Sequence, residues 1–536
     1  MINSKKYLID LFFLSFLFIF TYKLTVIYSE YYSDLHHWGF IAQKSLDYIN
    51  GNLLFQEVYV HHGIGNFIIF DLINYFYKIN FTSIGLITYF VYYFNLIILY
   101  LIIKRLLNSY AAIVAISLIF FVHPFILYPW PDYMAGLCLS IFFYFTLFNR
   151  NLFLICGFFL FLSVFFRSTY MVNILVSVAF YFSYAHFNKK IYNDDLVKIL
   201  LSFFFFLIIF FFILYFKNYL NFWFDQSILQ IKTYASLSQD LAFEFSDKLS
   251  DKVAKYVYIN LGEFFFFYFL LLKLIIKFII NIFFPQTIED FIFFIFYIAN
   301  FIFIFLLIFK NNKKLSLLVS DSSNGILFFF SLLGFFGVIQ SLYSFNFFRN
   351  FNASSSIFLI NSLLFKNFLN KKFLANIKIY SFLVIFTLSF FFYKFLDASK
   401  SMFSINKDLF TSSSIKYFGN RKFLEEDFKY YNILQSILCK DKKKIFNYTM
   451  DYNLTYLCSN KLFFHFSHPL TNSILMKDFL EGDFEKDTIY ISNIGPNIKE
   501  LRATHVITSP VSMAYYIRRS YTLNGYRSSQ IFIYKK

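Results

Sequence analysis

The chain has 536 residues, 59% of them hydrophobic and only 15% charged, and its mean hydropathy is +0.58. A water-soluble protein carries about 25% charged residues, so that class is excluded. The formal net charge of +17 has no soluble basic domain to sit on. This excludes a nucleic-acid partner and leaves the basic bias of cytoplasmic loops as its cause.

The first element is an apolar run over 7–28, preceded by Lys5-Lys6 and followed by no small-x-small cleavage signal. It predicts an uncleaved first membrane helix with a cytoplasmic N-terminus. Then comes Tyr28-Ser-Glu-Tyr-Tyr-Ser-Asp34-Leu-His36-His37-Trp38, where an acid stands beside His and Trp just outside the first span. The segment 29–82 is expected to be an outer loop with amphipathic helices at 36–50 and 66–78. It holds Asp34, His36, His37, Gln56, Glu57, His61 and His62, four of the nine histidines of the chain. Adjacent residues on a helix point about 100° apart, so His36-His37 is awkward as a shared metal ligand pair, and no metal is assigned. The plain alternative is a set of polar residues suited to the headgroup region.

Further along, apolar runs predict spans at 83–105, 109–123, 133–148, 152–166, 170–186 and 198–216. Within them, His123-Pro124 to Pro129-Trp130-Pro131-Asp132 interrupts the backbone with three prolines. Asp132 then falls near the start of the next helix, either as a cap or as a second acid facing the cavity of Asp34. Arg167, in Phe166-Arg167-Ser168, lies at an outer turn, against the basic-inside bias. Arginine at such a depth suits a phosphate through its bidentate fork; snorkelling into the headgroups is the alternative.

Residues 217–262 read as a second outer loop. The run 263–284 is interrupted by Lys273 and Lys277 and reads as an interfacial amphipathic helix. Spans follow at 287–309, 324–343, 353–369 and 374–396, with Arg349 at another outer turn. Placing Lys5-Lys6, Lys104-Arg105, Arg150, Lys189-Lys190, Lys310 with Lys313-Lys314, and Lys371-Lys372 inside gives about eleven spans. That odd number puts the tail, 397–536, outside. The tail alternates polar and apolar residues, as in Thr488-Ile-Tyr-Ile-Ser and Gln530-Ile-Phe-Ile-Tyr, with an amphipathic helix at 422–439. It predicts a small extracytoplasmic α/β domain. Cys439 and Cys458 could pair there in an oxidising compartment. The sequons at Asn80, Asn352, Asn447 and Asn453 are short enough to arise by chance.

The stretch from Tyr32-Ser-Asp34-Leu-His36-His37, through Ala42 to Gly51, to Gln56-Glu57 and His61-His62-Gly63 resembles the GT-C-fold glycosyltransferases. These include the aminoarabinose transferases of lipid A and the protein O-mannosyltransferases. In the family an outer-loop acid precedes a helix, a glycine turn, an acidic dipeptide and a Pro- or Lys-containing turn. Here that last turn is His61-His62-Gly63-Ile64-Gly65, with neither, which leaves the sugar and the lipid contact open. The resemblance implies a polytopic α-helical membrane domain over 1–396 and an outer C-terminal domain.

It also implies a polyprenyl-phosphate sugar as donor and a glycan, lipid or protein hydroxyl as acceptor. Asp34 is expected as general base with Asp132 assisting. His36, His37, Glu57, His61, His62, Arg167 and Arg349 are expected as substrate contacts, with no cofactor required. No Walker loop, dinucleotide fingerprint or Asp-x-Asp motif is present, in keeping with a lipid-borne donor. The implied setting is the inner membrane of a bacterium. Two rival classes are a polymerase or ligase of lipid-linked glycans, and a lipid-glycan flippase or transporter.

Overall fold

The computed structural model describes residues 2–31, 35–55, 58, 60, 63–122, 131–187, 193–224, 288–309, 321–341, 347–368, 407–412, 418–440 and 443–447. Shorter described stretches follow at 451, 453–454, 457–458, 463–465, 487–492, 503–508 and 530–535, with four isolated helical positions in 272–280 and two at 385 and 389.

Helix α1 (Ile2–Tyr31) crosses the bundle beside α4 (Phe81–Leu106). Between them Tyr89 Oη donates to Phe18 O (2.7 Å) and Tyr93 Oη to Leu14 O (2.9 Å). Asp10 accepts from Tyr100 (2.5 Å) and pairs with Lys104. Polar groups inside an apolar bundle need such partners, and each pairing fixes the relative register of the two helices. Asn80 begins α4 with a reciprocal cap, accepting from Ser83 N at 2.9 Å while its own N–H donates to Ser83 Oγ at 2.7 Å. Lys104 and Arg105 close its last turn, where the helix dipole favours cations.

The chain continues through α5 (Ser109–Val122), α6 (Pro131–Phe148), α7 (Phe153–Phe166), α8 (Tyr170–Phe187) and α9 (Asp194–Phe216). Proline opens α6, where a missing N–H does no harm. Asn193 caps α9 by accepting from Leu196 N at 2.9 Å. Gly157 lets α7 meet α9, since a Cβ there would lie 2.5 Å from Ser202 Cβ. After α10 (Leu220–Phe224), the bundle is completed by α11 (Ile288–Phe309), α12 (Asp321–Gly337) with a 3-10 turn over Val338–Ser341, α13 (Phe347–Ala353) and α14 (Ser356–Phe368).

Four described helical segments are long and apolar enough to cross a membrane: Leu8–Tyr31, Thr82–Leu106, Pro131–Phe148 and Asp194–Phe216. Their outer faces carry large apolar side chains at helical spacing, such as Leu201, Phe205, Ile208 and Phe212 on α9, all more than half exposed. A face of that kind has no place in water and marks a membrane-embedded protein. The 14-residue helices α5 and α7 reach only about 21 Å, short of the ~30 Å hydrocarbon layer.

Elements differ from the sequence reading in two places. The expected span 353–369 corresponds to α14, which begins three residues later at Ser356, after a turn at 354–355 that separates it from α13. The expected helix 422–439 begins with a strand, β2 (Lys422–Leu424), paired antiparallel with β1 (Phe410–Ser412), and becomes helical as α15 (Glu425–Leu438). The runs 263–284 and 374–396 lie outside the described residues but for the isolated positions named above, and 225–262 lies outside them altogether.

The C-terminal domain carries a five-stranded mixed sheet in the order β4-β3-β5-β7-β6. Its strands are β3 (Lys444–Asn447), β4 (Phe463–His465), β5 (Thr488–Ser492), β6 (His505–Thr508) and β7 (Gln530–Lys535). β3 runs parallel to both β4 and β5, and β7 runs antiparallel to β5 and β6. Cys439 and Cys458 form a disulfide with their Cα atoms 5.4 Å apart, tying the end of α15 to the segment after β3. α15 packs on this sheet. The same apolar cluster takes in α2 (Leu35–Ile49), α3 (Gly65–Phe76) and the start of α4.

Candidate functional site

The packed, antiparallel helices give the bundle two chemically different ends. At one end lie Asp10, Lys104, Arg150 paired with Asp195 (3.3 Å), and Arg105 over the Phe148 ring (4.2 Å). The opposite end gathers the C-termini of α1, α7 and α9, the N-termini of α4, α6 and α8, and the C-terminal domain. The sequence-derived candidates Asp132 and Arg167 both fall at this second end.

Asp132, in the first turn of α6, is fully buried, and Arg167, just after α7, is 6% exposed. Arg167 Nε lies 3.6 Å from Asp132 Oδ1. Among the described residues neither carboxylate oxygen accepts a hydrogen bond, so Asp132 caps none of the described backbone of its helix and has acceptor capacity left. A charge pair taken out of water this completely is costly unless something else compensates it. Such pairs cluster at functional sites.

The segment between α1 and α4 reaches the same place. Gly63 packs against the last turn of α7, where a Cβ would lie 2.5 Å from the carbonyl oxygen of Phe165, two residues before Arg167. Only glycine allows that approach. Beside it an apolar pocket is lined by Phe55, Ile64, Phe165, Phe210, Phe211 and Trp223, with Ser168, the neighbour of Arg167, on its wall. From the other side comes α13, whose packing on α6 brings Asn352 against Gly136 (Oδ1 2.5 Å from a Cβ built there). α13 carries Arg349 and, next to it, Asn350, which is fully buried with neither amide atom hydrogen-bonded among the described residues.

Of the other candidates, Asp34, Glu57, His61 and His62 lie outside the described residues. His36 and His37 occupy the first turn of α2 and Arg349 lies on α13, and for these three only the backbone is described. The structure therefore brings Asp132 and Arg167 together, sets the turn that follows His61-His62 against α7, and puts α13 on α6. Among the described residues no three His, Cys, Asp or Glu side chains converge as a metal site.

Three features escaped the sequence reading. Asn350 had no signal apart from its neighbour Arg349. Lys44 and Asp47, one turn apart on α2, are both buried. Burial holds the Lys44 amine well below the ordinary lysine range, and the Asp47 charge offsets part of that. An amphipathic pattern gives no hint that two charged residues lie on the covered face. The third is a buried cluster in the C-terminal domain around Asp451, which accepts from Tyr431 (3.0 Å), Tyr430 (3.4 Å) and the Asn453 backbone (3.2 Å).

No protein-family model matches this chain, and no curated protein shows significant similarity to it.

Proposed function

We propose that this chain is a GT-C-like membrane glycosyltransferase that moves a sugar from a polyprenyl-phosphate donor to a hydroxyl acceptor. In this reading about eleven helices span the inner membrane of a bacterium, with the basic end of the bundle in the cytoplasm. The Asp132–Arg167 end and the C-terminal domain face the extracytoplasmic side. The observation that carries it is the buried Asp132–Arg167 pair (3.6 Å) beside an apolar pocket and the first-loop turn. This combines a fixed charge for a phosphate with an apolar wall for a hydrocarbon tail, at the place where the acidic, histidine-rich loop meets the bundle.

Asp34 takes the acceptor hydroxyl proton as general base. The acceptor oxygen bonds the anomeric carbon from the face opposite the phosphate. The carbon–oxygen bond to phosphate breaks with its electron pair, so configuration inverts through an oxocarbenium-like transition state. Arg167, Arg349 and the first-loop residues His36, His37, His61 and His62 neutralise the leaving polyprenyl phosphate, and with those cations no metal is required. Asp132 holds Arg167 in place, and Glu57 contacts the acceptor.

The test is sugar transfer by purified protein from a panel of polyprenyl-phosphate sugars, wild type beside Asp34→Asn. We expect product from one donor and none from the variant, with insertion unchanged. Transfer at the wild-type level by Asp34→Asn overturns the assignment of the base.

One feature favours a second reading, a lipid-glycan transporter. Transporters use broken helices with polar groups at the break. Here the α13–α14 break carries Ser354 and Ser356, fully buried with unpartnered hydroxyls. Tight packing against Gly337 and Gly334 accounts for both serines, which ranks this reading second. No transfer from any donor by well-folded protein would reverse that order.

A further inference from the structure

Helix α2 begins one residue after Asp34 and carries His36 and His37 in its first turn. Its orientation therefore sets where the first-loop site stands. The buried apolar face of α2, Ile41, Ala42 and Leu46, does not join the main core of the helical bundle. It shares one cluster with Phe418, Phe423, Tyr431 and Leu434 of the C-terminal domain. In that cluster Phe418 is fully buried between the rings of Phe423 (4.8 Å) and Tyr431 (5.6 Å).

A polar clasp stands beside this contact. Gly419 has φ +60° and lies so close to Asn80 that a Cβ would sit 2.8 Å from its Oδ1, the atom that caps α4. The next residue, Asn420, donates its backbone N–H to Thr82 Oγ1 at 3.2 Å. At the end of α1, Tyr31 meets Phe410 of β1 edge to face, with centroids 5.2 Å apart. The C-terminal domain thus touches the end of α1 and the start of α4 directly, and shares with the covered face of α2 one apolar cluster that also takes in Phe70 of α3 and Ile84 of α4.

We infer that the segment Phe418–Arg421 is a positioning element for the reaction, the mount by which the C-terminal domain holds the start of α4 and the covered face of α2, the helix that follows Asp34 in the chain. Misplacing a reacting group by about 1 Å costs on the order of a hundredfold in rate, so a mount of this kind is needed where the base sits on a loop. The catalytic consequence rests on the transferase reading; the mechanical coupling does not.

The test is hydrogen exchange on the full-length protein in nanodiscs, comparing wild type with Gly419→Ala. Alanine there must adopt a left-handed backbone and strikes the Asn80 cap. Exchange over 35–49 should quicken about tenfold or more, while 131–148 stays as in wild type. Faster exchange confined to 407–440 overturns the mount. If Gly419→Ala does not accumulate, Phe418→Leu empties part of the contact without backbone strain, and unchanged exchange over 35–49 in that variant overturns the inference equally. In the transfer assay Gly419→Ala should lower kcat about tenfold and leave the donor KM unchanged. An unchanged kcat with a loosened α2 removes the positioning role. A wild type that transfers no sugar defeats the functional reading, and the exchange result still decides the coupling.

Discussion

Asp451 is held by opposing forces. Burial raises its carboxyl to about 6, against hydrogen bonds from Tyr431, Asn453 and Tyr430 that favour the ionised form. The folded state therefore binds the proton more tightly than the unfolded chain. The stabilising contribution is full below about pH 4 and is lost as pH rises through about 6, amounting to about 3 kcal/mol. Asp451→Asn should therefore melt above wild type at pH 7.5 and show no such advantage at pH 4, which thermal scans of the intact protein would reveal. Equal differences at both pH values would mean that Asp451 does not titrate in this window.

At Asp132 and Arg167 the expectation concerns the pair. Removing Arg167 strands the buried Asp132 carboxylate and should cost about 3–5 kcal/mol, whereas Asp132→Leu with Arg167→Met should recover most of that stability yet transfer no sugar. Recovery of both stability and transfer in the double variant would give the pair a purely structural role. Each of these two residues was conspicuous in the sequence, one after a proline-rich break and one on the wrong side for a basic residue. Their pairing was not, because a full helical hairpin separates them. The sequons at Asn352, Asn447 and Asn453 are settled at this scale too: all three side chains are fully buried, and Asn447 and Asn453 bond around Asp451.

Among elements, the helices were the most legible part of the chain. The readings 36–50 and 66–78 correspond to α2 and α3, and 488–492 and 530–534 to β5 and β7, because a 3.6-residue or two-residue period survives wherever one face is covered. Breaks were less legible. The α13–α14 turn follows from no proline or glycine of its own. It sits where Ser354 and Ser356 press onto Gly337 and Gly334 of α12, a contact made by a different helix. Close approach at glycine yields a direct expectation. Gly63→Ala meets the Phe165 carbonyl, which cannot swing away as a side chain can, and should destabilise the protein by about 1–3 kcal/mol. Gly51→Ala is the control for added bulk: its Cβ meets nothing within 4 Å, and only its φ of +96° opposes it. A thermal shift at Gly63 no larger than at Gly51 would mean that the loop does not press on α7.

The whole molecule is arranged along one axis, with basic residues at one end and the candidate site and the C-terminal domain at the other. The proposed outward orientation of this second end is in keeping with Cys439–Cys458, because a disulfide belongs in an oxidising compartment. In intact cells, an impermeant reductant followed by an impermeant thiol reagent should label Cys439 and Cys458. Cys138 and Cys156, buried in the bundle, should stay unmodified. Labelling only after the membrane is opened would reverse the proposed sidedness.

Composition and period alone decided that this is a membrane-embedded, mostly helical chain with a mixed α/β tail, because apolar runs and face alternation are local properties that every folded arrangement of the chain must respect. They also drew attention to Asp132 and Arg167. Only the tertiary structure decided that these two share one buried pair, that the covered face of α2 joins the apolar cluster of the C-terminal domain and not the main core of the bundle, and that Lys44, Asp47 and Asp451 lie inside. Burial and pairing are made by segments distant in sequence, and a one-dimensional pattern carries no record of which distant segment will cover a given face.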